Sequence, residues 1–517
     1  MKQGKIFIYF ALAALTLGSC KKSFLELYPE GNLNDGNFFK STKDFQQAVN
    51  GAYVPLRNIA LVAFFMDENR SDNTHYDYNS KDRSGATTEN LIDFLDASDN
   101  ETTAARYTAA YDGVSRTNVV LDRLNTIDFT MADADKNQII GETKALRAHY
   151  YFDLVRNFGG VPLHLHEVKS TEDSYLARST ADEVYAQIIA DLTDADQLLA
   201  NPTFAAAQTG RITKGTVETE LAAVYLQQKQ FDKAIPFLES VTRMGYSLIT
   251  NYRDIFNPAN KNSNPELIFD VQFQSGNTGQ SSDFIYRFTP ITSNTFNILG
   301  VSFNNIEGGW NTPTDDLLSQ YEPGDRRLDA SIGLVEGTLD ENTNFEPTRV
   351  VSILNYTPPP GTVAKIFIKK YYYPPYPNYD RNTDQNWPIY RYADVLLMLA
   401  ECLNETGKSG DALPYLNLVR ERAFGPGHDI QETGQAALRS IIAKERRTEL
   451  AFENKRWQDL IRTDSAIPVM NAYGAKLKQQ YGYLLPQSYN VTQNRLLYPI
   501  PLREIQLNAK LVQNPGY

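Results

Sequence analysis

Apolar residues recur at helical spacing in two blocks of this chain. In ALRAHYYFDLVRNFGGVPL, Ala148, Tyr151, Leu154, Val155 and Phe158 share one face, and Gly159, Gly160 and Pro162 stop the helix. STADEVYAQIIADLTDADQLL opens on a capping box, Thr180 with Glu183, and carries a stripe of Tyr185, Ile188, Ile189, Leu192 and Leu199. In the second block, YRYADVLLMLAECLNETG places Tyr392, Val395, Leu396 and Leu399 together. ERRTELAFENKRWQDLIR then aligns Leu450, Glu453, Trp457, Leu460 and Ile461 as one helix.

The two blocks share a repeat. LAAVYLQQKQFDKAIPFLESV and LAECLNETGKSGDALPYLNLV superpose without a gap from Leu221 and Leu399. Each has Leu-Ala, a second Ala farther on (Ala222 then Ala234; Ala400 then Ala412), and Ile-Pro or Leu-Pro after it. Small residues at those points let two helices of a pair approach closely, the logic of tetratricopeptide repeats. Two copies are too few for a free-standing solenoid, so other helices must cover them.

Between the blocks, residues 255–388 change character. They are rich in Asn, Gly, Pro, Ser, Thr and aromatics, with short β-like pieces such as ELIFDVQF and KIFIKKYYY. Residues 66–103 are similarly polar and irregular. The pattern predicts a helical scaffold over about 38–254 and 389–464, a loop-rich region over about 255–388 and a C-terminal segment 465–517. Long aromatic-bearing loops on a rigid frame suit recognition.

The N-terminus adds location. Lys2 and Lys5 precede the apolar run Ile6–Leu17, long enough for a signal segment and too short to span a bilayer. Leu-Gly-Ser-Cys follows, ending at Cys20, and is similar to the lipobox of bacterial lipoproteins. It predicts a signal peptide over 1–19 and a lipid on Cys20; the alternative is a plain secretory signal with an incidental cysteine. The only other cysteine is Cys402, so a lipidated Cys20 leaves no disulfide. Removing Lys2 and Lys5 takes the formal charge from −12 to about −14, which argues against nucleic acid and anionic lipid as partners. Tyrosine is the compositional outlier, 31 residues beside 26 Phe and 6 Met, and an apolar face with a polar tip suits wet recognition surfaces.

In order along nearly the whole chain, the lipobox with FLELYPEG, ALRAHYYFDLVRNFGGVPL, GRITKGTVETELAAVYL, PTDDLLSQYEPGDRR, YRYADVLLMLAE, ERRTELAFENKRWQDLIR and LYPIPLREIQLNAKLVQNPGY resemble the SusD/RagB family of nutrient-binding outer-membrane lipoproteins. Asn454 stands where that family often has Gly. The resemblance implies a mostly α fold of four tetratricopeptide-like helix pairs with a variable, minor-β part. It implies one SusD-like domain over 20–517, lipid-anchored and exposed on the outer membrane. The implied role is capture of an oligosaccharide, or in some members a peptide, for a SusC-like TonB-dependent transporter, without catalysis.

The residues themselves offer no G-x-S-x-G, Walker A, G-x-G-x-x-G or H-E-x-x-H motif, which disfavours a surface glycoside hydrolase. His164 and His166 form an isolated pair, and no calcium loop is complete, so no cofactor is expected, although some family members bind calcium. Glu445, Arg446, Arg447, Glu449, Glu453 and Arg456 read as ion pairs locking helices, and Trp457 as core. Trp310 and Trp387 lie among loop formers, where rings can stack on sugar C–H faces while Asn, Asp and Arg meet hydroxyls. The expected ligand-binding residues are therefore Trp310 with Asp72, Asn73, Tyr76 and Tyr78, and then Tyr376, Tyr379, Arg381 and Trp387. Loops 66–103 and 301–312 are expected to converge.

Overall fold

The computed structural model describes residues 38–200, 210–378 and 381–517. Eleven of its longer helices carry the argument: α1 (Thr42–Asp67), α2 (Glu101–Leu124), α3 (Asp133–Phe158), α4 (Ala181–Leu198), α5 (Lys214–Gln227), α6 (Phe231–Val241), α7 (Tyr392–Glu405), α8 (Ser409–Phe424), α9 (Gln435–Glu449), α10 (Arg456–Arg462) and α11 (Ala466–Gln480). Local sequence explains their ends. Ser41 caps α1 by accepting from the Asp44 amide, and Thr180 and Glu183 close the expected capping box on α4. Gly159, at φ 73°, terminates α3.

The helices pack as successive pairs, α1 with α2, α3 with α4, α5 with α6 and α7 with α8. This is the mostly α, tetratricopeptide-like architecture. Ala222, Ala234, Ala400 and Ala412, the small residues of the repeat, are all fully buried. The two repeat pairs meet through α6 and α7, while α4 covers one side and α9 the other. The stripe residues Tyr151, Leu154, Ile188, Leu192, Val395, Leu396 and Leu399 join one continuous core. By length and hydropathy alone α1 could cross a bilayer. Here Phe45, Val49, Leu56, Ile59 and Phe64 bury it in that core.

One helix departs from expectation. ERRTELAFENKRWQDLIR breaks after Glu449 and resumes at Arg456. Phe452 (φ 68°) and Asn454 (φ 60°) adopt the left-handed region in between, where Asn is better tolerated than most residues. The buried carboxylate of Glu68, just beyond α1, accepts the backbone N–H of Phe452 at 2.9 Å and of Asn454 at 3.0 Å. A distant side chain thus replaces helical bonding in that turn.

The expected ion pairs are present and largely buried. Glu449 meets Arg391, Arg327 and Arg422; Glu453 meets Arg391 and Lys370; Glu445 meets Arg327 and Arg420. Burial alone would raise the Glu449 pKa, but the three guanidiniums hold it well below the usual carboxylate range. Trp457 is fully buried, beside Phe94, Met470 and Tyr489.

The loop-rich region contributes most strands of three small antiparallel sheets among the described residues. β2 (Leu267–Val271) pairs with β7 (Trp387–Arg391), β4 (Ile332–Leu339) lies between β5 (Phe345–Ser352) and β6 (Val363–Ile368), and β1 (Thr74–His75) pairs with β3 (Thr312–Pro313). The expected β-like pieces ELIFDVQF and KIFIKKYYY supply β2 and β6.

Candidate functional site

The short β1–β3 ladder brings the two expected loops together. Thr74 lies opposite Pro313 and His75 opposite Thr312. The Thr314 hydroxyl donates to the Asp72 carbonyl at 2.8 Å, and the Asp77 amide donates to the Gly309 carbonyl at 2.7 Å. Gly309 needs its freedom: φ is 78°, and a Cβ there would lie 2.7 Å from the Cβ of Asp77. Where β1 leaves this ladder it forms one wall of an open cleft of about 880 Å³. The segment after β3 and strand β6 form other walls, and α11 with the turn after it closes the last.

A row of rings lines the cleft. Tyr78 stacks on Tyr483 with centroids 4.1 Å apart and planes 9° apart. Tyr483 lies 5.3 Å from Tyr481, and Tyr481 lies 5.5 Å from His75, both pairs near parallel. Tyr78 is 39% exposed, and Tyr481 and Tyr483 are partly exposed. Tyr481 and Tyr483 were missed in the sequence. The signal was there, in the alternation YGY straight after a helical stretch, but nothing local says which surface it faces.

The expected residues divide. Tyr78 lies in the cleft, though as one member of a ring stack, with the Arg83 guanidinium carbon 4.4 Å from its ring centre. Tyr76 lines the cleft but is buried, its hydroxyl donating to Asp93 at 2.9 Å. Asp72 and Asn73 do not reach it. Asp72 is clamped by Arg456 at 2.7 and 2.8 Å and faces Arg447 at 3.1 Å. The Asn73 amide donates to Glu68 and its carbonyl accepts from Arg447. Their polar groups tie the loop to the helical scaffold, which corrects the expectation that they meet a ligand.

Trp310 is half-buried and lines a smaller neighbouring recess of about 350 Å³. It stands edge-on to Phe65 at 5.1 Å and lies 6.0 Å from Tyr76. Gly85 roofs it so closely that a Cβ there would come within 3.0 Å of the indole. Asp77 and Ile291 line both the recess and the tyrosine cleft. Arg381 pairs with Glu307 on the rim of this recess, and Arg287 reaches the same carboxylate at 3.2 Å. Trp387 and Tyr376 lie elsewhere. Trp387 is core, stacked 5.2 Å from Tyr371 and tilted against Phe284 at 4.7 Å, because its flanking polar residues edge a buried strand and not an open loop. The Tyr376 hydroxyl is taken up by the backbone of Tyr371 and Tyr373. Tyr379 and Cys20 lie outside the described residues.

Both lysines of the cleft face carboxylates. Lys365 lies 3.5 Å from Asp77, and Lys476 lies 3.5 Å from Asp316, which also accepts from Arg447 at 2.9 Å. Beneath the wall, burial raises Asp93 to about 7 and lowers His75 to about 4. Among the described residues, no three His, Cys, Asp or Glu side chains converge as a metal would require. His166 pairs with Asp122, while the His164 ring packs edge-on against Tyr111.

Comparison with known proteins gives this architecture a family. The model of the SusD family matches residues 265–517, and a second, described as starch-binding and associating with the outer membrane, matches residues 23–226. SusD-like protein P2 of Formosa agariphila is 30% identical, covering all of both chains; SusD-like protein P38 of the same organism is 26% identical over 97% of this chain and 96% of its own. A solved laminarin-binding SusD-like protein is 26% identical, covers 93% of this chain and all of its own, and superposes with a TM-score of 0.72. The chain belongs to the SusD family. Neither family description is that of a catalyst.

Proposed function

We propose that this protein is a non-catalytic glycan-binding lipoprotein of the outer-membrane surface, and that the tyrosine cleft is where an oligosaccharide sits. The observation that carries this reading is the row Tyr78, Tyr483, Tyr481 set beside Asp77, Asp315 and Lys476 in one open groove. Rings present apolar surface to sugar C–H groups, while carboxylates and ammonium exchange hydrogen bonds with hydroxyls. The groove is wide and open, so it suits a chain binding along its length more than a small molecule engulfed. The laminarin-binding relative supports the ligand class.

The family's outer-membrane association supports the rest of the proposal. Cys20 carries the lipid tether, and a SusC-like TonB-dependent transporter receives the glycan. A glycan-array screen of the protein beginning at residue 21, followed by calorimetric titration of the hits, tests the binding. Failure of every glycan to bind overturns it. Cys20→Ala should abolish fatty-acid labelling and release the protein from the membrane fraction, and co-purification in detergent should recover a large β-barrel partner.

A further inference from the structure

We infer that the cleft selects uncharged glycans and rejects uronate-containing or sulfated ones. This rests on the reading of the cleft as a glycan site. It follows from how charge is distributed around the groove. The lining carries three carboxylates, Asp77, Asp315 and Asp316, against two ammonium groups, Lys365 and Lys476. Each lysine already faces one of those carboxylates, Lys365 with Asp77 and Lys476 with Asp316. The one imidazole in the wall, His75, is buried, and its Nδ1 lies 2.8 Å from the Tyr76 carbonyl. It adds no positive charge at neutral pH.

The adjoining recess continues the pattern. Asp82, Glu89 and Glu307 line it with Arg287, and Arg287 is held between Asp283 and Glu307. A glycan running from the tyrosines past Asp77 toward Trp310 would therefore pass carboxylates whose cationic neighbours are already engaged. For a neutral sugar this is favourable, because a carboxylate accepts strong charge-assisted bonds from hydroxyls. A uronate or sulfate ester would meet like charge, and would need a guanidinium or ammonium to be pulled from its present partner. The acidic body of the protein, formal charge −12, repels a polyanion at longer range as well.

The test is titration calorimetry with three panels: neutral gluco-oligosaccharides, oligouronates and sulfated oligosaccharides, at low and at physiological salt. The expected result is binding of a neutral oligosaccharide with little salt dependence, and for the anionic panels at least roughly tenfold weaker affinity. The Asp77→Asn/Asp315→Asn double variant should gain oligouronate binding that fades with added salt, since Lys365 is then released. Wild-type binding of oligouronates or sulfated sugars as tight as any neutral one, lost in Tyr483→Ala, overturns the charge selection while leaving the cleft as a glycan site. A double variant still blind to oligouronates overturns the assignment to these carboxylates. Silence of the wild type toward all three panels removes the glycan reading itself.

Discussion

Tyr78 and Tyr483 lie face to face, centroids 4.1 Å apart and planes within 9°, although one follows β1 near the start of the fold and the other follows α11 near its end. The stack joins two chain segments into one wall, and Tyr483 is its middle ring. Tyr483→Ala should remove a sugar contact and also the support that holds Tyr78 and Tyr481 in line. An aromatic contact contributes about 1 kcal/mol beyond area burial, and the apolar area lost with the ring adds to it, so the variant should bind a cognate oligosaccharide roughly tenfold more weakly. Tyr483→Phe, which keeps the ring, should stay within a few-fold of wild type. Titration calorimetry of both variants reads this; equal affinity in wild type and Tyr483→Ala would place the ligand elsewhere.

The three tryptophans should separate in stability. Trp457 is fully buried, so Trp457→Ala should cost about 3–5 kcal/mol. Trp310→Ala should cost less, yet visibly, because the half-buried indole packs on Phe65 and under Gly85. This departs from a ring standing free in a loop, whose loss would leave melting unchanged. Trp387→Ala should resemble Trp457→Ala and leave glycan affinity unaltered at temperatures where the variant is folded. Denaturant melts paired with titrations check the order.

Much of this was legible in the chain because the scaffold is periodic. Stripes such as Ile188 and Leu192, the repeated alanines and the Thr180–Glu183 box state their own roles within a few residues. The convergence of the two loops was legible at the level of region. The error lay in the polar run from Asp67 to His75, which composition marks as exposed loop and the structure buries throughout. Its partners, Arg447 and Arg456, lie 374 to 384 residues farther along the chain, and no local pattern reveals which polar residues will find a buried counter-charge. The same limit hid Tyr481 and Tyr483. It also hid the break at Phe452, since the carboxylate that replaces the helical bonds belongs to Glu68.

Removing Glu449 should be severe. Its carboxylate lies between Arg327, Arg391 and Arg422, all deeply buried. Glu449→Ala would leave those guanidiniums without a shared counter-charge, and breaking a buried pair in this way costs about 3–5 kcal/mol. The pH dependence has a definite sign. In the fold the Glu449 pKa is held far below its unfolded value, and Asp459 is likewise held low against burial by Arg446 and Arg462. Their stabilisation is complete above the unfolded carboxylate range and is lost as pH falls through and below it. Thermal melts should fall steeply into acid, and Glu449→Gln should flatten that limb.

Asp93 should give a limb of the opposite sign. Its side chain is buried beneath the cleft wall, one oxygen accepting the Tyr76 hydroxyl at 2.9 Å and the other 4.0 Å from His75 Nε2. Burial raises its pKa to about 7, with nearby Glu89 adding to the rise and the Tyr76 hydroxyl opposing it. The native state therefore holds a proton that the unfolded chain releases near the ordinary carboxylate pKa. Between that value and about 7 the native state binds more protons than the unfolded one, so stability falls as pH rises through this window. Each pKa unit of displacement corresponds to about 1.4 kcal/mol. Asp93→Asn keeps an oxygen acceptor for Tyr76 and carries no charge to bury. It should melt close to wild type at the acid end of the window and clearly above it at pH 8. Because Tyr76 is tethered by the same carboxyl, oligosaccharide affinity should drift with pH in the wild type and stay level in the variant. Parallel melting curves for the two proteins from acid to pH 8 would show that Asp93 titrates normally and that the wall beneath the tyrosines carries no buried proton.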